Sequence, residues 1–257
     1  MNFLAIDTSG RQLNTVAVHG ERQIVLPRSD CAMRHSVILM DEIDAAFKQA
    51  QLTPQACDFF ACVVGPGSFT GIRIGIATVK GLCLAAEKGA LALTSFDCLA
   101  YADTNEQKLC LVDAGHGNFY ACGYSGTQVS VPPLFASREQ VDAIIASGYV
   151  PVAHTPLFEG VRVADAAQGL LAAATKKAGE VMPAHALEAL YLRKSSAEEG
   201  RLTAEAGSMP TSTPSPRWRR RTFPTRGTIA CSPIPFSRAT STGLCSRRTA
   251  RSLPTAA

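Results

Sequence analysis

The cysteines of this chain lack the spacing that disulfide frameworks and zinc sites require. No two of them form a C-x-x-C pair, no matching Cys/His pair follows Cys57 and Cys62, and an odd number lies within the first 200 residues. We therefore predict reduced, buried thiols that bind no metal. The cysteines concerned are Cys31, Cys57, Cys62, Cys83, Cys98, Cys110 and Cys122.

The chain also lacks an uninterrupted apolar run of the roughly 18 residues that a membrane-spanning helix needs. Its first 200 residues carry 15 basic and 20 acidic side chains and are rich in Ala, Leu, Val and Ile. That composition is typical of a globular protein of the cytosol, and no signal-peptide pattern is expected before Met1. We predict a soluble, cytoplasmic protein with no membrane partner.

Residues 201–257 lack lysine altogether and contain a single acid, Glu205, beside ten arginines. The segment is rich in Ser, Thr and Pro and sustains neither a helical nor a strand period. The interpretation we favour is that a GC-rich gene is translated here in a wrong reading frame. The alternative is a functional disordered tail, whose WRRRTFPTR stretch would bind RNA because arginine neutralises phosphates and aromatic rings stack on bases.

Histidine pairs with metal-ligand spacing are missing as well. Metal-dependent hydrolysis needs two histidines on one helix face. Here they are scattered singly, and we interpret His35, at the start of a helical stretch, as a capping or interface residue. The five histidines are His19, His35, His116, His154 and His185.

The most distinctive stretch is VVGPGSFTGIRIGIATVKGLCLAA, from Val63 to Ala86. A Walker A loop needs a lysine directly after its last glycine, but Ile72 follows Gly71. A dinucleotide loop needs G-x-G-x-x-G and a serine-hydrolase elbow needs G-x-S-x-G, and neither spacing is present. Ser68 is therefore predicted to cap the helix that follows it.

Hydrophobic periodicity predicts an alternation of strands and helices. The first helix should have Ser36 as its N-cap. The predicted helices are 34–50, 68–86, 137–147 and 164–178. The predicted strands are 2–7, 15–20, 58–64, 90–95, 109–113, 119–124 and 149–153.

Two hairpins of similar plan divide the chain into two units. Each runs from an apolar strand through an acid, Asp7 or Asp113, and a turn into a second strand. We predict an N-terminal lobe at 1–104, a C-terminal lobe at 105–199 and the basic tail at 200–257. Strands alternating with helices indicate an α/β fold with helices packed on mixed sheets, and the repeated hairpins suggest a duplication.

The helix predicted at 68–86 carries small residues at helical spacing. Gly71 and Gly75 lie four apart, as do Ala77, Gly81 and Ala85. Each glycine inside a helix costs about 1 kcal/mol relative to alanine, so close packing against another helix would offset that cost. The spacing leaves open whether that helix belongs to this chain or to a partner.

Five segments together resemble one family, the bacterial TsaB (YeaZ) proteins. They are FLAIDTSG, HSVILMDEIDAAF, VVGPGSFTGIRIGIATVKGLCLA, VDAGHGNFYACGY and YLRKSSAE. The resemblance implies a fold of the actin, hexokinase and heat-shock-ATPase type with two duplicated lobes. It also implies a role in making N6-threonylcarbamoyladenosine beside the tRNA anticodon, as a non-catalytic scaffold that pairs with the transferase TsaD and through it with the ATPase TsaE.

The resemblance also implies site residues. The two helices would form the interface with TsaD, or with a second copy of the chain when TsaD is absent, and tRNA would be contacted only indirectly. Asp7 would be a vestigial acid of a nucleotide site, and no cofactor, metal or catalytic residue is expected. The alternatives are an actin-like ATPase, a glycoprotease-type metallopeptidase and an RNA-binding module. The expected interface residues are His35, Leu39, Gly71, Ile74, Gly75, Thr78, Gly81, Leu82 and Ala85.

Overall fold

The computed structural model describes residues 1–29, 31 and 34–193. All of these fall in the first of the two units into which the chain divides, Met1–Ser208. The predicted basic tail at 200–257 and the last residues of the predicted C-terminal lobe lie outside the described residues.

A five-stranded mixed sheet forms the first lobe, in the order β3-β2-β1-β4-β5. Strands β1 to β3 form an antiparallel meander, and β4 runs parallel to both β1 and β5. Strand β3 was not predicted, because it is a half-exposed edge strand containing Pro27, which weakens the strand pattern. The strands are β1 (Asn2–Asp7), β2 (Leu13–His19), β3 (Arg22–Arg28), β4 (Phe59–Val63) and β5 (Gly89–Leu93).

Two helices, α1 (His35–Ala50) and α2 (Phe69–Ala86), cover one face of this sheet. Their buried side chains share a core with Leu4 and Phe60. The other face packs against α3 (Ser95–Ala102) and a helix from the end of the described chain. The sheet is therefore covered on both sides, which explains why the burial of β1 and β4 is nearly continuous.

The second lobe repeats the topology of the first. Its sheet has the order β8-β7-β6-β9-β10, with an antiparallel meander of β6 to β8 and β9 parallel to β6 and β10. The repeat confirms the predicted fold class of two duplicated lobes. The elements are β6 (Gln107–Gly115), β7 (Asn118–Ser125), β8 (Gln128–Ala136), α4 (Arg138–Ala146), β9 (Val150–Ala153) and β10 (Arg162–Val163).

Helix α5 (Ala166–Lys176) returns to the first lobe, contrary to the predicted boundary at residue 105. Its Leu170 packs with the core on the α3 side of the first sheet. Gly169 permits this packing, because a Cβ there would overlap the Cys98 carbonyl oxygen. The chain continues along this lobe, where Leu190 N donates to the Val64 carbonyl oxygen at 2.8 Å. Residues 166–190 thus belong with the first sheet.

The two long helices begin differently. Ser68 Oγ accepts a hydrogen bond from Gly71 N at 3.2 Å, which confirms its predicted role as the N-cap of α2. The N-cap of α1 is Arg34 and makes no side-chain capping bond, so the prediction of Ser36 as a cap is wrong. Ser36 lies one residue inside the helix and is exposed.

Among the described helices, α2 alone is long and apolar enough to cross a bilayer by length and composition, with a mean hydropathy of 1.4. The core helix of a globular domain meets the same two conditions. Its buried side chains, among them Ile72, Val79 and Cys83, lie against the first sheet, and Arg73 and Lys80 interrupt its apolar sequence.

Candidate functional site

The loop after β1 and the glycine-rich loop before α2 are packed against each other. Ser68 N donates to the Ser9 carbonyl oxygen at 2.7 Å. A Cβ on Gly67, which has φ +159°, would overlap that same oxygen, so glycine is needed for the approach. The two loops that could in principle cradle a phosphate therefore bind each other.

The glycines of the first turns of α2 serve the same contact. Thr8 Oγ1 donates to the Gly71 carbonyl oxygen at 2.7 Å, and a Cβ on Gly71 would overlap the Thr8 carbonyl oxygen. A Cβ on Gly75 would lie 2.6 Å from Thr8 Oγ1. The prediction that Gly71 and Gly75 contact a partner is therefore wrong, because both are buried against Thr8 of their own chain.

A cleft of about 440 Å³ lies between the two lobes, at the point where β1 and β6 end. Asp7 is the last residue of β1 and Asp113 lies two residues before the end of β6. Both line the cleft, together with Arg11 and Asn14. Asp7 is buried, with 5% of its surface exposed, whereas Asp113 is exposed. Topological repetition thus places the two predicted acids in one site.

Asp7 is held in place by its own loop. Its Oδ1 accepts hydrogen bonds from Ser9 N at 2.8 Å and from Ser9 Oγ at 2.7 Å. Within the part of the chain that the structure describes, no hydrogen bond to Asp7 Oδ2 is found. One carboxylate oxygen is therefore committed to the loop and the other is available to a ligand.

Two histidines from opposite lobes also line the cleft, His35 at the start of α1 and His154 after β9. Burial lowers the pKa of both below 6.5, and the charge of Asp7 only partly offsets this effect. His154 Nδ1 lies 3.3 Å from the Ala164 carbonyl oxygen. Since a carbonyl can only accept, Nδ1 carries the proton of the neutral ring, and Nε2 is left as a bare acceptor.

The predicted role of His35 needs correction, and the sequence analysis did not identify His154 as a site residue. His35 is 5% exposed and faces the cleft, so it neither caps α1 nor lies at an outer interface. His154 was passed over as one of several scattered histidines. Its position directly after a parallel strand was a usable signal, because ligand sites of α/β sheets form at the carboxyl ends of strands.

The outer face of α1 and α2 exposes large apolar side chains. Val37 and Met40 of α1 are 69% and 56% exposed, and Leu84 of α2 is 83% exposed. Of the predicted interface residues, five lie on the outer part of α2, either half-buried or exposed. They are Ile74, Thr78, Gly81, Leu82 and Ala85. Leu39, by contrast, is 2% exposed and belongs to the core under the helices, so its prediction as a partner contact is wrong.

No metal centre accompanies these residues in the described ranges. Among residues 1–29, 31 and 34–193, no three or more His, Cys, Asp or Glu side chains are placed to hold a metal ion. The seven described cysteines are free and buried.

The duplicated lobes, the cleft between them and the paired acids define a two-lobed fold of two mixed sheets flanked by helices. Solved structures share it. YeaZ from Pseudomonas aeruginosa matches with a TM-score of 0.63 at 24% identity, over 74% of this chain and 99% of that one. A second Pseudomonas aeruginosa protein, described as similar to the peptidase YEAZ, matches with a TM-score of 0.64 at 23% identity, over 75% and 99%. At these identities the likeness shows the fold alone.

Sequence comparison identifies the family. Residues 11–146 match the family described as "TsaD: tRNA N6-adenosine threonylcarbamoyltransferase", and the chain belongs to that family. The TsaB protein of Bacillus subtilis (strain 168) is 29% identical over 122 residues, which is 47% of this chain and 53% of that protein. TsaB of Buchnera aphidicola subsp. Schizaphis graminum (strain Sg) is 30% identical, over 46% and 58%. The resemblance to TsaB is thereby confirmed, and the chain spans little more than half the length of these relatives.

Proposed function

We propose that this protein is a non-catalytic accessory subunit in the biosynthesis of tRNA threonylcarbamoyladenosine, acting in the cytoplasm. Two of its relatives carry the name "tRNA threonylcarbamoyladenosine biosynthesis protein TsaB". The partner would be a TsaD-type threonylcarbamoyltransferase, and a TsaE-type ATPase would join through the complex. Contact with tRNA would be indirect.

The observation that carries the proposal is the apolar outer face of α1 and α2. Large apolar side chains are normally depleted where a helix faces water, and a cluster of them marks a contact surface. Three such side chains lie on this pair of helices, and a Cβ at the exposed Gly81 would meet nothing within 4 Å. A helix of another protein can therefore approach α2 closely at Gly81.

The chemistry of the cleft supports an accessory role. The loops that would hold a nucleotide phosphate use their N–H and hydroxyl donors on each other and on Asp7. Phosphate binding depends on free donors of this kind. We infer that the chain contributes a surface to the complex and that the transferase supplies the reaction.

Gly81→Leu tests this surface directly. A Cβ at Gly81 meets nothing within 4 Å, so the longer side chain leaves the monomer intact and improves helix propensity. A TsaD-type partner packed on α2 would be displaced. We expect co-purification with the partner to fall at least about tenfold, which corresponds to about 1.4 kcal/mol. Ala143→Leu, which adds similar bulk to an exposed position of α4, is the matched control and should leave binding unchanged.

Two variants that each introduce a negative charge test the apolar contact. Leu84→Glu should abolish co-purification, because it buries a carboxylate in the interface. Val129→Glu, on the 55% exposed Val129 of β8, places the same charge on the other lobe and should have no effect. Unchanged partner binding by both Gly81→Leu and Leu84→Glu would overturn the proposed interface. Hydrolysis of Mg-ATP by the isolated chain would instead favour the ATPase alternative.

A second copy of this chain competes for the same face. If the isolated protein is a dimer, Gly81→Leu should convert it to a monomer in analytical ultracentrifugation. A dimer that survives the substitution would place self-association on another surface.

A further inference from the structure

Several hydrogen-bond donors at the cleft between the lobes are already used within the chain. Ser9 N and Ser9 Oγ donate to Asp7, and Ser68 N donates to the Ser9 carbonyl oxygen. Ser95 Oγ donates to the Pro66 carbonyl oxygen at 2.7 Å. An anion such as phosphate binds through donors of this type, and here they are occupied.

Acceptors, in contrast, remain without partners. Among the described side chains, the buried Asn14 Oδ1, His35 Nε2 and His154 Nε2 have no hydrogen-bond partner, and all three residues line the cleft. Asn14 is 1% and His35 5% exposed, so water does not readily satisfy them. A buried polar atom without a partner destabilises the fold, and a ligand that donates a hydrogen bond to it removes that destabilisation.

Among the residues that the structure describes, the ionisable groups lining the cleft carry a net negative charge. They are the carboxylates of Asp7 and Asp113, the guanidinium of Arg11 and the two imidazoles. Because burial lowers the pKa of His35 and His154, both rings are neutral at pH 7 and present lone pairs. The charged groups are then two carboxylates and one guanidinium, which leaves a net negative charge.

We propose that this cleft binds a small organic cation bearing a primary ammonium group, and that it does not bind a nucleotide phosphate. An ammonium has three N–H donors and no acceptor. It matches the free oxygen of Asp7 and the unpartnered acceptors of His35 and His154. This inference does not depend on the proposed partner interface, because it concerns the cleft and not the outer face of α1 and α2.

The experiment uses n-butylammonium chloride as the probe, and histidine side-chain NMR signals of the full chain as the readout. Saturable shifts of the His35 and His154 signals are expected. The neutral isostere n-butanol and tetramethylammonium, which has no N–H donor, should give no saturable shift at matched ionic strength. Inorganic phosphate and Mg-ATP should also give none that depends on Asp7.

Asp7→Asn should weaken n-butylammonium binding about tenfold or more, because it removes the charge from the hydrogen-bonded acceptor. If this variant fails to fold, Asp113→Asn on the exposed cleft wall serves in its place, with a smaller loss expected. Asp142→Asn, which makes the same change on the exposed surface of α4, is the control and should bind as the unmodified chain does.

Lowering the pH from 7.5 to 5 should also weaken n-butylammonium binding, since protonated imidazoles repel an ammonium and lose their lone pairs. A phosphate site would respond in the opposite direction. The proposal is overturned if n-butylammonium gives no saturable shift, if tetramethylammonium binds equally well, or if phosphate or Mg-ATP competes for the site through Asp7.

Discussion

Thr8 and Gly71 are joined by a hydrogen bond that no larger residue at position 71 would permit. Thr8 Oγ1 donates to the Gly71 carbonyl oxygen at 2.7 Å, while a Cβ on residue 71 would overlap the Thr8 carbonyl oxygen. The contact fixes the start of α2 against the end of β1, and with it the position of Asp7 in the cleft.

Gly71→Ala should therefore destabilise the fold by about 1–3 kcal/mol, because backbone on both sides must move to admit the methyl group. Urea unfolding of the full chain measures the change. Gly81→Ala is the control on the same helix, where a Cβ meets nothing within 4 Å, and it should stabilise the protein by about 0.5–1 kcal/mol. Equal effects of the two substitutions would contradict the structural account of Gly71.

The same contact explains what the sequence could and could not reveal about α2. Its extent and its serine cap were predictable, because small and apolar residues recur at helical spacing and Ser68 precedes them. The group that lies against Gly71 and Gly75 was not predictable. The spacing of small residues indicates that another group approaches the helix closely, but it does not identify that group. Gly75→Leu would disturb Thr8 of the same chain, because a Cβ at Gly75 already lies 2.6 Å from Thr8 Oγ1.

Other elements were missed for local reasons. Helix α3 is short and apolar nearly all round, so it has no clear period, although its capping box of Thr94 and Asp97 was a readable signal. Strand β8 contains two prolines, Pro132 and Pro133, in a mostly exposed edge. The return of α5 to the first lobe depends on tertiary packing of Leu170, and no local pattern indicates it.

Asp97 and Lys177 connect α3 to the end of α5. Lys177 Nζ lies 3.2 Å from Asp97 Oδ2, with side-chain exposures of 18% and 9%, and the same oxygen accepts from Thr94 N and Oγ1. Asp97→Ala removes the carboxylate half of the capping box and one of the two carboxylate partners of a largely buried ammonium. We expect a loss of about 2–4 kcal/mol in urea unfolding.

Lys177→Met separates the two contributions, since it removes the ion pair and leaves the cap in place. Its loss should be clearly smaller than that of Asp97→Ala. The double variant should cost less than the sum of the two, because the ammonium that has lost its partner Asp97 is absent from it. Strict additivity would show that the pair is not coupled.

The cysteines of the core should be inert towards alkylating reagents while the protein is folded. Burial raises the pKa of Cys57 and Cys122 to about 12 and that of Cys83 to about 11, and the thiolate is the reactive form. At pH 8, mass spectrometry after iodoacetamide treatment should find these three positions unlabelled. Labelling in urea should be complete, and fast labelling of the folded chain would contradict their burial.

Acid should destabilise the protein through the two cleft histidines. Their folded-state pKa values lie below the unfolded value of about 6.5, because burial outweighs the charges of Asp7 and, at His154, of Asp165. The unfolded chain therefore binds more protons below pH 6.5, and stability that is fully present above that pH falls as the pH drops. Arg11 and Asp113 also face the cleft.

The free energy of unfolding should therefore fall by up to about 1.4 kcal/mol per pH unit for each histidine below pH 6.5. His154→Asn removes one titrating group and keeps an N–H donor for the Ala164 carbonyl oxygen, so its pH slope should be smaller. His116→Asn, at an exposed turn with φ +55° that asparagine tolerates, should retain the full slope. Urea unfolding at pH 7.5, 6.5 and 5.5 measures both. If His154→Asn and the unmodified chain have the same slope, His154 is not a buried neutral acceptor in the cleft.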